Sequence, residues 1–198
     1  MWSKVLLAGV ITVSACNTPA PTPLPFAFTH LTGIQIVAPS SHVTGAYRTV
    51  CRRSAGDDVR LPVTSCTPGA VRGDMLNPTN ATLSATVCHP GWTATVRPPA
   101  NETDRTKTAA MKAYSESANL RPTVELDHLI PLELGGANDV SNLWPEISDE
   151  PGQGFRNSKD KVENDLKNAV CAHRIAIADA QNAIATNWTT AETKLGVS

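Results

Sequence analysis

The sequence predicts an α+β protein, with short β-prone runs through its first two thirds and helix-period stretches gathered toward the C-terminus. Three observations point that way. Val124, Leu126, Leu129 and Ile130 are β-prone apolar residues followed by Pro131 and Gly135-Gly136, where a strand has to stop and turn. Val162, Leu166, Ala169 and Val170 fall on one stripe of a helix, and Ile175, Ala178, Ile184 and Trp188 recur at helical intervals in the next. Nearer the N-terminus, Ile34-Gln35-Ile36-Val37 and Tyr47-Arg48-Thr49-Val50-Cys51 are weakly β runs bounded by Pro39, Ser40-Ser41 and Gly45.

Taken in order, the chain opens with one basic residue, Lys4, ahead of the apolar run Val5 to Val13 and then Ser14-Ala15-Cys16. A run that short does not span a bilayer as a mature helix, and residues 1–15 read as a signal peptide. Val13-Ser14-Ala15-Cys16 also resembles a bacterial lipobox, which favours Cys16 as a lipid-bearing N-terminus and a cell-envelope lipoprotein over a plainly secreted protein. No other stretch is long or apolar enough to cross a membrane, so membrane contact is expected through that anchor only. Residues 16–29 carry Pro19, Pro21, Pro23 and Pro25 at alternate positions and form an extended tether. Residues 30–66 are read as a small β-rich portion to which no chemistry attaches. Residues 67–82, with Pro68-Gly69, Gly73, Asn77-Pro78 and Asn80, are read as a linker before the main domain at 83–198.

In that domain Trp92-Thr93-Ala94-Thr95-Val96 alternates as a strand and is closed by Arg97-Pro98-Pro99. Thr103 to Glu116 then reads as a helix with Met111 and Tyr114 toward the core. Trp92 and Trp144 are assigned to packing, because a chain with 5% aromatic residues uses them inside. Ser158 is the expected N-cap of the helix carrying Val162 and Leu166. Thr189-Thr190-Ala191-Glu192 is a capping box before a last short helix ended by Gly196.

Chemistry concentrates at Asp127-His128, an acid and a base side by side at a strand end. Strand alternation sends neighbouring side chains to opposite faces, so the two converge on one reacting group only if the chain kinks, which Pro131 and Gly135-Gly136 permit. A carboxylate is a hard oxygen ligand for Mg²⁺ or a similar ion, and a neutral imidazole accepts a proton from water near neutral pH. A lone Asp-His pair is more often an edge histidine beside a turn carboxylate. The surrounding pattern reverses that reading.

Asp127-His128-x-x-Pro131, then Gly135-Gly136, then Asn142-Leu143, then a helix opening near Asn157-Ser158-Lys159-Asp160 resemble the ββα-metal motif of HNH (His-Me finger) endonucleases. Cys88-x-Pro90-Gly91-Trp92-Thr93-x-Thr95-Val96-Arg97-Pro98-Pro99 and Lys159-Asp160-x-Val162-Glu163-Asn164 resemble, in the same order, small secreted bacterial proteins of HNH type. The similarity spans about Cys88 to the C-terminus. It implies a ββα-metal core with flanking helices and metal-dependent hydrolysis of phosphodiester bonds in nucleic acid, DNA in preference to RNA. The implied cofactor is Mg²⁺, with Mn²⁺ as the substitute and no organic cofactor. The resemblance further implies His128 as general base, Asn142 as the residue holding the loop that orients it, and Asp127 with Asn157 as metal ligands. Glu163 and Asp160 rival Asn157, since carboxylates are better ligands for a hard cation. Lys159, Lys161 and Arg97 are the candidate phosphate contacts, a solvated helix face accounting equally well for the two lysines.

After Cys16 the cysteines are Cys51, Cys66, Cys88 and Cys171, an even count in a chain that reads as exported, with three connectivities open. The preferred pairing is Cys51–Cys66, closing a small loop, with Cys88–Cys171, tying the start of the HNH-like region to the end of its metal helix. No Cys-x-x-Cys pair occurs, which argues against a structural zinc site. The formal net charge of -1 excludes a generic nucleic-acid binder. A local groove lined by Arg97, Arg105, Lys107, Arg156, Lys159 and Lys161 remains open to a short substrate segment. The competing class is a non-catalytic envelope lipoprotein using the same fold as a binding module, and a weaker one is a hydrolase of some other phosphodiester. Mass spectrometry of the mature N-terminus is expected to find lipid on Cys16; an unmodified chain reading through Cys16 would remove the anchor and leave export standing.

Overall fold

The computed structural model describes residues 31–149 and 157–197. The expected signal peptide, the Pro-rich tether with Cys16, and Arg156 lie outside them. Within them the chain is α+β, with two two-stranded sheets and five α-helices. Strand β1 (Gln35–Val37) pairs in parallel with β2 (Ala70–Arg72). Helices α1 (Asn80–Ala85), α2 (Trp92–Val96) and α3 (Ala100–Ala113) follow. Strands β3 (Val124–His128) and β4 (Leu143–Ile147) pair antiparallel, and helices α4 (Lys159–Cys171) and α5 (Ile177–Leu195) close the chain.

The apolar stripes do the packing that their spacing requires. Val162, Leu166, Ala169 and Val170 of α4 are buried, and Val162, Leu166 and Val170 join Ile177, Ile184 and Trp188 of α5 in one cluster. Ile130 and Leu134, from the loop after β3, enter the same cluster. A second, smaller cluster gathers Tyr114, Leu129 and Trp144 with Cys51 and Ala113. Asn187 interrupts α5 with extended backbone, φ −166° and ψ 100°. Its side-chain oxygen accepts from the backbone N–H and the hydroxyl of Thr189, so Asn187 starts the last helical segment. The expected capping box does not form, because Glu192 pairs with Lys161. Gly196, with φ 64°, ends the helix as its position suggests.

Three expectations are corrected. Trp92–Val96 is a helical turn, not a strand: Gly91 (φ 82°) leads into it, and Arg97 N–H donates to the Thr93 carbonyl. A five-residue run of small residues has too little periodicity to separate the two forms, and a helix satisfies its own backbone where no neighbouring strand is in reach. Residues 67–82 are not a linker, for Ala70, Val71 and Met75 are fully buried. The turn residues there do not loosen the chain; they bend a core strand. Arg72 N–H donates to Gly135 O and Ala137 N–H to Ala70 O, so β2 lies against the Gly135-Gly136 loop. A Cβ on Gly135 would come within 2.6 Å of Met75, and one on Gly136 within 1.7 Å of the Ile130 carbonyl oxygen. Finally, Tyr47 to Cys51 joins neither sheet and runs beside α3, with Tyr47 Oη donating to Leu143 O and Cys51 N–H to Ala113 O.

Both disulfides are the preferred ones, Cys51–Cys66 and Cys88–Cys171. They accord with an oxidising, extracytoplasmic setting. No described helix is long and apolar enough to cross a membrane. Cys88→Ala with Cys171→Ala is expected to cost about 2–5 kcal/mol, read as a lower urea midpoint. The matching change at Cys51 and Cys66 is expected to cost less, since that bridge closes a sequence separation of 15 against 83. Equal losses would contradict the chain-entropy ordering.

Candidate active site

The hairpin register sets the site. Asp127 lies opposite Trp144 and Glu125 opposite Glu146, so alternation puts these four on one face and His128 with Leu143 on the other. The two chemical groups expected to act together therefore leave the strand in different directions, and the fold joins them through a third residue. Lys159, at the start of α4, sends its ammonium to Asp127 Oδ2 at 2.8 Å and to the His128 carbonyl at 2.8 Å, and it also donates to the Glu163 carboxylate. Its three protons thus meet three acceptors.

His128 is 8% exposed. Its Nε2 lies 2.8 Å from Asn138 Oδ1. The Asn138 amide nitrogen donates to the carbonyls of Ser40 (2.8 Å) and Val96 (2.7 Å), which fixes the amide oxygen toward the ring. An amide oxygen can only accept, so Nε2 carries the proton and Nδ1 keeps its lone pair. Burial pushes the imidazole pKa down to about 4, against the opposing pull of the Asn138 bond and of Asp127. The ring is neutral at physiological pH.

Asn142 is fully buried and touches no ring. Its oxygen accepts from Ala70 N–H (3.2 Å) and Ile130 N–H (3.0 Å), and its nitrogen donates to Ile130 O (2.9 Å) and Ala137 O (3.1 Å). It holds the backbone two residues beyond His128, while Asn138 holds the imidazole itself. Asn138 escapes sequence reading because a polar residue between Gly136 and Asp139 looks like any other turn asparagine.

The remaining expected site residues divide. Lys159 is corrected from a phosphate contact to a buried structural cation, 0% exposed. Its place was readable: 159, 162, 166 and 170 continue the apolar stripe of α4 back into the first turn. Lys161 is exposed but pairs with Asp165 (2.6 Å) and Glu192 (2.8 Å), which favours the solvated-face reading. Arg97 is exposed, and its charge partly opposes the rise that burial gives Glu125 and Glu133 and adds to the depression that burial gives His128, so it stands near the site. Asn157 Oδ1 accepts from Asp160 N–H at 2.8 Å and caps α4. The expected cap, Ser158, instead donates its N–H (2.9 Å) and hydroxyl (2.5 Å) to Asp149.

Carboxyl groups outnumber cations around Lys159. Glu146 is buried with Oε2 lacking a partner among the described residues, and burial, followed by the Asp127 charge, pushes its pKa up to about 10. Burial pushes Glu163 up to about 8, and burial together with Asp127 also raises Glu125 and Asp160. Of these carboxyls, Glu125 and Asp160 beside Asp127 are oxygen donors of the type a divalent cation takes. The trio Asp127, Asn157 and Glu163 is not gathered round one point: two of its members meet at the Lys159 ammonium and the third caps a helix. Among the described residues no group of three or more His, Cys, Asp or Glu is arranged to hold a metal.

Comparison with protein-family models, with curated proteins and with solved structures returns no match to this chain. Glu146 provides a direct check of the electrostatics. A carboxyl with a raised folded-state pKa contributes stability that is present below its ordinary value of 4.5 and is lost as pH climbs toward about 10. Glu146→Gln keeps the neutral shape without that loss. Its melting temperature relative to the native chain should rise from pH 5 to pH 9, and a difference independent of pH would mean that Glu146 is ionised in the fold.

Proposed function

We propose that this protein is a metal-dependent phosphodiesterase acting on nucleic acid, with β3, β4 and α4 as the strands and helix of a ββα-metal core. The observation that carries the reading is the state of His128: buried at a strand end next to Asp127, neutral, and held by Asn138 in the tautomer that leaves Nδ1 basic. A histidine so fixed is suited to take one proton from an attacking water. In that step Nδ1 becomes protonated while Nε2–H stays on Asn138 Oδ1, so the ring does not turn during the transfer. Asp127 lowers the cost of the imidazolium, and the negative charge of a bound phosphate diester lowers it further.

Asp127 is the proposed metal ligand, with Glu125 and Asp160 the nearby carboxylates whose ionisation it opposes. A bound Mg²⁺ or Mn²⁺ supplies positive charge against the phosphate and leaving-group oxygens. Arg97, exposed near His128, is the proposed phosphate contact. The chain is proposed to act outside the cytoplasm, tethered through Cys16. One observation favours the second reading, a non-catalytic binding module: the Lys159 ammonium already bonds to both Asp127 and Glu163 where a metal would sit.

Cleavage of supercoiled plasmid and of single-stranded substrate in Mg²⁺ or Mn²⁺ separates the two. His128→Ala is expected to keep substrate binding and lose on the order of 10²–10⁴ in rate. Asp127→Ala is expected to lose the response to added divalent ion, and a chelator to abolish cleavage by the native chain. Because the His128 pKa is depressed from 6.5 to about 4, activity should persist below pH 6 and fail only as pH approaches the lower value. Asn138→Asp places a carboxylate on Nε2–H and should move that acid limb to higher pH. Cleavage that survives His128→Ala would sink the general-base assignment, and no cleavage by the native chain would leave the binding module.

A further inference from the structure

Between α3 and residues 42–50, the segment in which Thr44 bonds to Asn138, lies a groove of about 880 Å³ that the catalytic reading does not use. One wall is α3. The other is the strap of residues 42–50, which runs alongside the helix in the same direction. The strap is fastened at both ends: Glu102 accepts from Val43 N–H (3.1 Å) and lies 2.8 Å from His42 Nδ1, and Cys51 N–H donates to Ala113 O. Chain length then dictates an opening. Val43 to Cys51 spans about 26 Å if extended, whereas α3 rises only about 16 Å from Glu102 to Ala113. The strap has to bow off the helix, and Thr44 and Tyr47 draw the bow toward residues 138–143 by bonding to Asp139 and Leu143.

The charge on this groove departs from that of the whole chain. Arg105 and Lys112 on the helix and Arg48 on the strap line it, all three exposed and none in an ion pair or hydrogen bond among the described residues. The one carboxylate lining it, Glu102, is already held by His42 and Val43. Three exposed cations thus face one open channel, with Glu102 beside Arg105 as its one lining carboxylate, on a chain of formal net charge -1. Arg105 and Lys112 are seven residues apart, on one face of the helix and separated by a rise of about 10 Å. The channel also has a direction, for Ser40, just before the strap, and Thr44, near its start, both bond to Asn138, the residue that holds His128.

We infer that this groove binds the phosphate backbone of the nucleic-acid strand leading to the His128 site. The choice of ligand rests on the phosphodiesterase reading; the existence of an anion-binding channel does not. An elongated row of separated cations matches a repeating phosphate diester better than a single compact anion, and attachment to Asn138 links it to the place where one diester of that strand would be cut. Arg97, on the solvent side of α2, and this groove would then contact the strand on either side of the scissile bond.

The test uses the full chain and a fluorescein-labelled oligonucleotide, as single strand and as duplex, followed by anisotropy across a salt titration in chelator so that nothing is cut. Arg48→Ala with Arg105→Ala and Lys112→Ala should weaken binding at least about tenfold and flatten the dependence of log K on log salt by about 2–3. The melting temperature should not move, since all three side chains are exposed. Hydrolysis of bis(p-nitrophenyl) phosphate with divalent ion present, a diester too short to reach the groove, should be unchanged in the variant. Unaltered oligonucleotide affinity, no binding by the native chain, or binding of polyglutamate in place of oligonucleotide would each overturn the inference. Loss of oligonucleotide affinity in a protein that hydrolyses neither substrate would keep the groove and discard the catalytic reading, whereas His128-dependent hydrolysis with unaltered affinity would do the reverse.

Discussion

A lysine ammonium with no access to water is tolerated only when each of its protons meets an acceptor and its charge is balanced close by, and much of this fold is arranged to provide that for Lys159. Asp127 comes from the end of β3, Glu163 from one turn further along α4, and the third acceptor is the backbone of His128. The contact therefore fixes the distance and the angle between hairpin and helix. Leaving such a charge uncompensated costs about 3–5 kcal/mol, comparable with the whole stability margin of a small domain. The carboxyls around it feel the same constraint, and Glu146, whose Oε2 meets no donor among the described residues, resolves it by staying neutral.

Two asparagines extend this frame in the other direction. Asn142 uses both ends of its amide on backbone from β2, from the turn after β3 and from the loop after Gly136. Asn138 spans the residues before the strap, the end of α2 and the ring of His128. Because an amide is polar at both ends and buried, misplacing any one partner strands a hydrogen-bonding group, so the loop is specified far more tightly than its sequence of small and polar residues suggests.

What the sequence made legible follows from periodicity and chain punctuation. The strand ending at His128, the α4 stripe, the helix through Met111, the stop at Gly196 and the two cysteine pairs were all readable from local spacing or from the HNH-type resemblance. What was missed depends on partners distant in the chain. Trp92–Val96 lacks a neighbouring strand, Ala70-Val71 is made a core strand by Gly135-Gly136, and Asn138 finds its acceptors at Ser40 and Val96. Lys159 stands on an apolar stripe, yet its residue type points to the surface, and only Asp127 and Glu163 make its burial possible. Asn157 and Ser158 exchanged roles for a related reason: either fits a helix start, and Asp149 decides between them.

The division of the chain into an inert leading portion and a working domain dissolves once the path of the Asn138 amide is followed. Ser40 supplies one of the two carbonyls that turn that amide, and Ala70 supplies a donor to Asn142. Both lie upstream of residue 83. A fragment trimmed to the region of HNH resemblance would retain the hairpin and both long helices, yet it would lose an acceptor that sets the tautomer of His128. The smallest autonomous unit of chemistry here is consequently larger than the stretch in which its signature can be recognised.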